Sequence, residues 1–418
     1  MQQNDFNKEL LNFLESSPTP FHATKELASR LEKNGFQKLD EADKWTLQEN
    51  HSYYVTRNDS SIIAFVYIKE ELIKHGVCMV GSHTDSPCLK LKPNTVIHKK
   101  GYIQLGVEVY GSPLLNPWFD RDLSLAGRVS GLDKDNNLVH PLVNFKRPIA
   151  VIPSLAIHLD KEANKNRSIN AQTDIPPIFM QSDEHISFED ILLKETGLCE
   201  ILDFELLFYD VQAPSFIGLN NEFLASARLD NLLSCYVGLQ AITEAPKTKS
   251  SLLICSDHEE VGSESTSGAA GPFLEMVLKR ICPDNEEYAR MIHASMMISA
   301  DNAHGVHPNF ESKHDANHGP LLNKGPVIKV NANQRYASNS RTTSLFKLLC
   351  KENDVAYQSF VTRTDMGCGS TIGPITASKI GVKTIDIGLP TFAMHSIREL
   401  AGDKDAYALF RVLKSYFS

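Results

Sequence analysis

Four apolar runs in this sequence each lead into a polar cluster able to bind a cation or move a proton. Cys78-Met-Val-Gly-Ser runs into His83, Thr84 and Asp85, and Leu252-Leu-Ile-Cys-Ser-Asp-His into Glu259 and Glu260. Met296-Met-Ile-Ser-Ala delivers Asp301, and Ile385-Asp-Ile-Gly is followed a few residues on by His395. A fifth candidate, Asp230, stands in Ser226-Ala-Arg-Leu-Asp-Asn at the expected start of a helix. An acidic residue there also suits the helix dipole or a cap.

Two histidines and three carboxylates, His83, His395, Asp230, Glu260 and Asp301, make a mixed nitrogen and oxygen donor set. Such a set suits Zn²⁺, Mn²⁺ or Co²⁺ and is poor for soft metals. Charge favours two divalent ions over one, because three carboxylates and one bridging hydroxide then balance the cluster. With two ions bound, Glu259 is left free to act as a base. Metals in this arrangement polarise a carbonyl and lower the pKa of a bridging water from about 15.7 toward 7, the chemistry of amide hydrolysis. Asp85, two residues past His83, is placed to accept a hydrogen bond from the imidazole and fix its tautomer. Each feature also has an ordinary alternative: loop polarity for His83 and Asp85, a solvated face for the Glu-Glu pair, a turn for Asp301, a core histidine for His395. It is the joint placement at strand ends that points to a site.

The elements that must position these residues alternate. Asp5–Ser16 and His22–Asn34 read as amphipathic helices, and Ser61–Lys69 and Gly76–Gly81 as strands. From about Leu91 to Ile217 the text is strand- and turn-rich, with YIQLGVEVY before Gly111 and a hairpin around Gly131-Leu-Asp-Lys-Asp-Asn-Asn. Beyond Ser226, helices are expected over Asp230–Thr243, Gly268–Arg280 and Thr342–Asn353, and strands over Ser251–Ser256, Met296–Ala300 and Thr384–Gly388. This alternation implies an α/β fold with a central, mostly parallel sheet. Its sites are expected at the carboxyl edge of the strands, where distant residues converge. Residues 1–90 and 226–418 would form that domain, interrupted by a β-rich insert at 91–225.

The 418 residues hold 42 Lys+Arg against 51 Asp+Glu, a net charge of −9 that argues against a nucleic-acid or anionic-membrane surface. With 42% apolar residues the chain can bury a sizeable core, and no stretch reaches the roughly 18 continuous apolar residues of a membrane span. The opening residues carry acidic groups and lack an export-signal pattern. Eight scattered cysteines without a C-x-x-C pair read as reduced thiols of a cytoplasmic protein, and make a zinc-thiolate site improbable.

Seven blocks carry a resemblance: GSHTDSPCLKLKPN from Gly81, ARLDNLLSC from Ala227, SDHEEVGS from Ser256, ISADNAHGVHPN from Ile298, NHGPLLNKGPVIKVNANQRYAS from Asn317, CGSTIGPI from Cys368 and AMHSIREL from Ala393. In this order they resemble the aspartyl aminopeptidase family of metallo-aminopeptidases, and within it the aspartyl aminopeptidases proper. The resemblance implies two zinc ions per subunit, His83 and Asp301 on one, Glu260 and His395 on the other. Asp230 would bridge them and Glu259 would be the general base. It implies a phosphorylase/hydrolase-like metallopeptidase domain with an inserted β-rich dimerisation domain. Dimers would assemble into a hollow tetrahedral dodecamer that admits peptides and excludes folded proteins. Lys329 matches the lysine that contacts the substrate's acidic side chain, with His304 and Tyr336 beside it. His158 matches a histidine donated by a neighbouring subunit.

Taken alone, Lys329 in Val327-Ile-Lys-Val is either a snorkelling edge residue or a buried charge with a partner. The expected function is removal of N-terminal Asp or Glu from peptides by attack of a metal-bridging hydroxide. The alternatives are a family member preferring neutral residues, a deacylase on the same fold, and a non-catalytic assembly protein. Serine or cysteine hydrolysis finds little support, since Gly-x-Ser-x-Gly is absent.

Overall fold

The computed structural model describes residues 2–418. The chain forms two compact units. The first is made of the stretch ending at Asp85 together with Pro214–Met394 and Glu399–Ser418, and the second of Ser86–Ala213 and His395–Arg398.

The first unit is built on a nine-stranded sheet. Its strands lie in the order Gln37–Lys38, His51–Arg57, Ser61–Tyr67, Ser251–Ser256, Cys78–His83, Met296–Ala300, Lys383–Gly388, Val327–Val330 and Gln358–Val361. The four strands from Ser251–Ser256 to Lys383–Gly388 are mutually parallel. SLLICS and MMISA are buried throughout, as expected of parallel strands covered on both faces. Register aligns their carboxyl ends: Ser256 pairs with His83, and Ala300 with Ile387.

Because side chains alternate across a strand, the sheet feeds two cores. Val80, Leu253, Ile298 and Ile385 pack with Phe6, Tyr236 and Phe410 from the helices Gln3–Ser16, Leu229–Glu244 and Asp405–Tyr416. Met79, Leu252, Ile254 and Met297 pack with Phe273, Leu278 and Met291 on the other face. Phe6 meets Tyr236 edge-on at 5.0 Å. A smaller five-stranded sheet holds Ser215–Ile217, Phe223–Ser226, Glu399–Gly402, Pro390–Phe392 and Ala303–His304.

The second unit is a seven-stranded antiparallel sheet with one nine-residue helix, Phe188–Thr196, started by the Ser187 side chain and ended by Gly197 in the left-handed region. YIQLGVEVY is a strand from end to end, and the turn at 133–137 joins Leu123–Leu132 to an antiparallel Leu138–Val139. Leu125, Leu206, Phe208 and Trp118 form its core. The contacts draw the edges of this unit differently from 91–225. Residues 215–226 pair into the first unit's five-stranded sheet, a non-local choice that local spacing does not carry.

The helix expected over Gly268–Arg280 begins only at Phe273. Gly268 to Gly271 turn instead, and the residue before Pro272 is biased away from helical backbone. The second helix starts at Pro20 rather than His22, with Thr19 as its cap. The helices at Lys69–His75, Asn285–Ala294 and Ile372–Ile380 lie outside those expected. All eight cysteines are free thiols, five of them buried. Among the described residues no helix is long and apolar enough to cross a membrane.

Candidate metal centre

His83 is the last residue of its strand and is 1% exposed. Its Nε2 lies 3.4 Å from Asp230 Oδ1 and 3.6 Å from Asp301 Oδ1. Its Nδ1 is 3.0 Å from the Asp85 main-chain oxygen and 3.4 Å from the carboxylate. A ring that donates through Nδ1 to that carbonyl turns the lone pair of Nε2 toward the two aspartates. The expected contact with Asp85 thus runs chiefly through its carbonyl. The Asp85 carboxylate has another task, accepting the main-chain N–H groups of Glu259 and Glu260, each at 3.1 Å. One buried residue therefore orients both the histidine and the glutamate pair.

Asp301 follows directly on the strand Met296–Ala300, and its Oδ2 is 3.1 Å from Lys329 Nζ. Asp230 lies in the helix Leu229–Glu244 at a non-helical interruption, and the Asp230–Asn231 peptide bond is cis. The helix cap is Arg228, so capping is not the role of Asp230. Its N–H instead donates to Glu399 Oε2 at 2.9 Å, while Asn231 Nδ2 donates to Ala300 O at 2.8 Å. Glu259 and Glu260 sit in a short 3-10 turn entered through His258 at φ +65°.

Ligand atoms of His83, Asp230 and Asp301 all fall within 4.8 Å of one another, as do those of His83, Glu259 and Glu260. Burial pushes the Glu259 carboxyl up to about 8, with the charges of Asp301, Asp230 and Asp85 adding and His83 opposing. Glu260 is raised well above the usual range by burial and then by Asp230. Burial works against protonated His83, but hydrogen bonds to Asp230, Asp301 and Asp85 outweigh it and raise its pKa. Burial also works against ionised Asp301, yet Lys329 and His83 hold its carboxyl well below the ordinary range. Buried carboxylates crowded around an imidazole carry a charge load that divalent cations relieve, and the donor chemistry suits zinc. The residues fit the group.

A cavity of about 300 Å³ in the same unit is lined by His304, Tyr336, Phe360, Arg363, Cys368 and Phe392, among others. His304 stacks edge-on against Phe360 at 5.8 Å. Tyr336 is buried, with Lys329 Nζ 5.5 Å from its ring centroid. Lys329 itself is 3% exposed, so of its two alternatives the structure realises the buried, partnered charge. His395 and His158 belong to the second unit. His395 has φ +67° and its Nδ1 is 3.1 Å from Ser112 O. His158 lies on an exposed turn between Ile157 and Leu159, themselves 50% and 74% exposed.

Sequence reasoning did not identify Glu399, Asn231 or Cys235, whose Sγ donates to His83 O at 3.0 Å. The hints were their places in the quoted blocks, Asn231 and Cys235 in ARLDNLLSC and Glu399 in AMHSIREL.

Such a donor set at the carboxyl edge of a parallel sheet could hold a metal ion of the kind that hydrolases use. The profile described as Aminopeptidase I zinc metalloprotease (M18) matches residues 13–417, and the chain belongs to this family of zinc aminopeptidases. A "Probable M18 family aminopeptidase 2" of Pseudomonas fluorescens (strain SBW25) is 57% identical over 420 residues, covering 99% of this chain and 98% of the relative. The structure titled "Cryo-EM structure of the Ape4 and Nbr1 complex" matches at TM-score 0.96 and 39% identity, over 99% of this chain and 86% of that one. "Structure of S. cerevesiae mApe1 dodecamer" matches at TM-score 0.85 and 27% identity, over 99% and 98%.

Proposed function

We propose that this protein is an aminopeptidase that removes N-terminal Asp or Glu from peptides with two divalent metal ions, Zn²⁺ first and Mn²⁺ or Co²⁺ as alternatives. The observation that carries this reading is the convergence of His83, Asp230, Glu259, Glu260 and Asp301 within one buried cluster. His83 and Asp301 would hold one ion, Glu260 and His395 the other, with Asp230 shared. When bound, the ions supply Lewis-acid polarisation of the scissile carbonyl and acidify the attacking water.

The remaining chemistry falls to side chains. Glu259 takes the proton of the attacking water and passes it to the leaving amine. Asp85 holds the Glu259 and Glu260 main chain and the His83 ring in place through three hydrogen bonds. His304, Tyr336 and Lys329 bind the first side chain, Lys329 meeting its carboxylate. The second unit would be a dimerisation domain, placing His158 in a neighbouring active site within a tetrahedral dodecamer; the related S. cerevesiae mApe1 is a dodecamer. Eight free thiols support a cytoplasmic setting.

A second reading, preference for neutral residues, is favoured by the apolar walls of the cavity, including Phe360, Met366 and Phe392, and by the pairing of Lys329 with Asp301. Hydrolysis of Asp- and Leu-anilides before and after chelation, with Zn²⁺, Mn²⁺ and Co²⁺ restored singly, tests both. Loss on chelation with Asp preferred supports the first reading. Leu preferred selects the second, and activity indifferent to chelation rejects the metal chemistry.

A further inference from the structure

Asp386 has no part in the chemistry above, yet it is a wholly buried carboxylate in the middle of the Lys383–Gly388 strand. Its Oδ1 accepts the Thr371 hydroxyl at 2.5 Å and its Oδ2 accepts the Ala337 N–H at 2.6 Å. Its main chain is bound as well: the N–H donates to Ser338 Oγ at 3.0 Å, and the carbonyl accepts from the same hydroxyl at 3.3 Å. Four hydrogen bonds thus tie one residue to two separate loops.

Both loops wall the cavity. Ala337 follows Tyr336, and Thr371 lies three residues past Cys368; Tyr336, Cys368 and Gly369 all line the space. Thr371 also caps the helix Ile372–Ile380, accepting the Gly373 N–H, so its place fixes where the 366–369 loop ends. Gly373 shows how closely that helix approaches: a Cβ there would stand 2.3 Å from each Asp386 carboxylate oxygen. The two segments also meet directly, through the Tyr336 and Cys368 side chains and through Ser370 Oγ, which donates to Arg335 O at 3.3 Å. Hydrogen bonds to a carboxylate are stronger than such neutral ones, so the shared Asp386 adds to that link.

We infer that Asp386 is a positioning residue for the substrate cavity, clamping the Tyr336 loop and the Met366–Gly369 loop at the spacing that admits the first residue of a peptide. The inference rests on the reading of that cavity as the first-residue pocket. Asparagine in this place keeps the size but offers one acceptor where two donors converge. A misplaced wall weakens binding that is the same in ground and transition state, which moves KM rather than kcat.

The test uses the full-length, zinc-loaded protein and Asp-, Glu-, Ala- and Leu-anilides. Asp386→Asn should raise KM about tenfold for the substrates the wild type cleaves, with kcat within about twofold and zinc content unchanged. Thr371→Val, which removes one arm of the clamp, should shift KM in the same direction by about threefold. A folded Asp386→Asn with unchanged KM overturns the inference, as does a fall in kcat or zinc content with KM preserved. Should Asp386→Asn fail to fold, Thr371→Val decides alone by the same criterion. Failure of the wild type to cleave any of the anilides would instead overturn the functional reading and the inference with it.

Discussion

Lys329 Nζ lies 3.1 Å from Asp301 Oδ2, both groups largely shut off from solvent. The lysine expected to meet a substrate carboxylate already faces a carboxylate of the metal centre. It therefore stands between the two tasks, compensating Asp301 on one side and lying over Tyr336 on the other.

Removing this ammonium strands a buried charge. Lys329→Met should destabilise the chelated protein by about 3 kcal/mol, measured by urea unfolding. It should also lower the Asp-over-Leu selectivity in kcat/KM by about tenfold or more. Equal damage to both substrates would assign Lys329 to Asp301 alone.

Glu259 is the one carboxylate of the cluster assigned no ligand role. Glu259→Gln should lower kcat by on the order of 10² or more while zinc content, read by elemental analysis, stays at the wild-type level. Undiminished turnover would remove it from the mechanism.

Stability of the chelated protein should depend on pH in a defined direction. The Glu259 carboxyl is raised from 4.5 to about 8, and a group raised on folding contributes stability below its unfolded pKa that is lost as pH rises through the folded one. Glu260 and His83 are raised too and act in the same sense. Asp301 is lowered, and its contribution is lost only in strong acid. In chelator, Tm should therefore fall between about pH 5 and pH 8, and saturating Zn²⁺ should flatten that fall. Parallel profiles with and without zinc would show that the cluster does not bind it.

His158 stands on an exposed turn, so its side chain has little to do with the fold of its own subunit. His158→Ala should leave Tm and oligomer size unchanged while lowering turnover about tenfold or more, if the residue completes a neighbouring site. Full activity in the assembled variant would exclude that donation.

Several features were legible in the sequence for physical reasons. Burial of a parallel strand on both faces demands a continuous apolar run, so SLLICS and MMISA announce themselves, and the residue that ends such a run must lie at the sheet's edge. His83, Asp301 and the Glu259–Glu260 pair were found that way. Donor chemistry then restricts the metal, because nitrogen and oxygen ligands in this mixture suit few ions. Seven blocks in family order supplied the rest of the assignment.

Tertiary structure alone decided how those residues are held. That Asp85 works through its carbonyl on His83 and its carboxylate on two amides depends on a turn 174 residues away. That Lys329 is sequestered depends on the Val327–Val330 strand lying antiparallel to Lys383–Gly388, which neighbours the Met296–Ala300 strand that leads into Asp301. Glu399 and Asp386 gave no local signal, since a buried carboxylate is recognisable only from the donors folded around it. Local spacing records which face a residue must turn to the core. It does not record which distant N–H will meet it there, because that pairing is set by strand order and register.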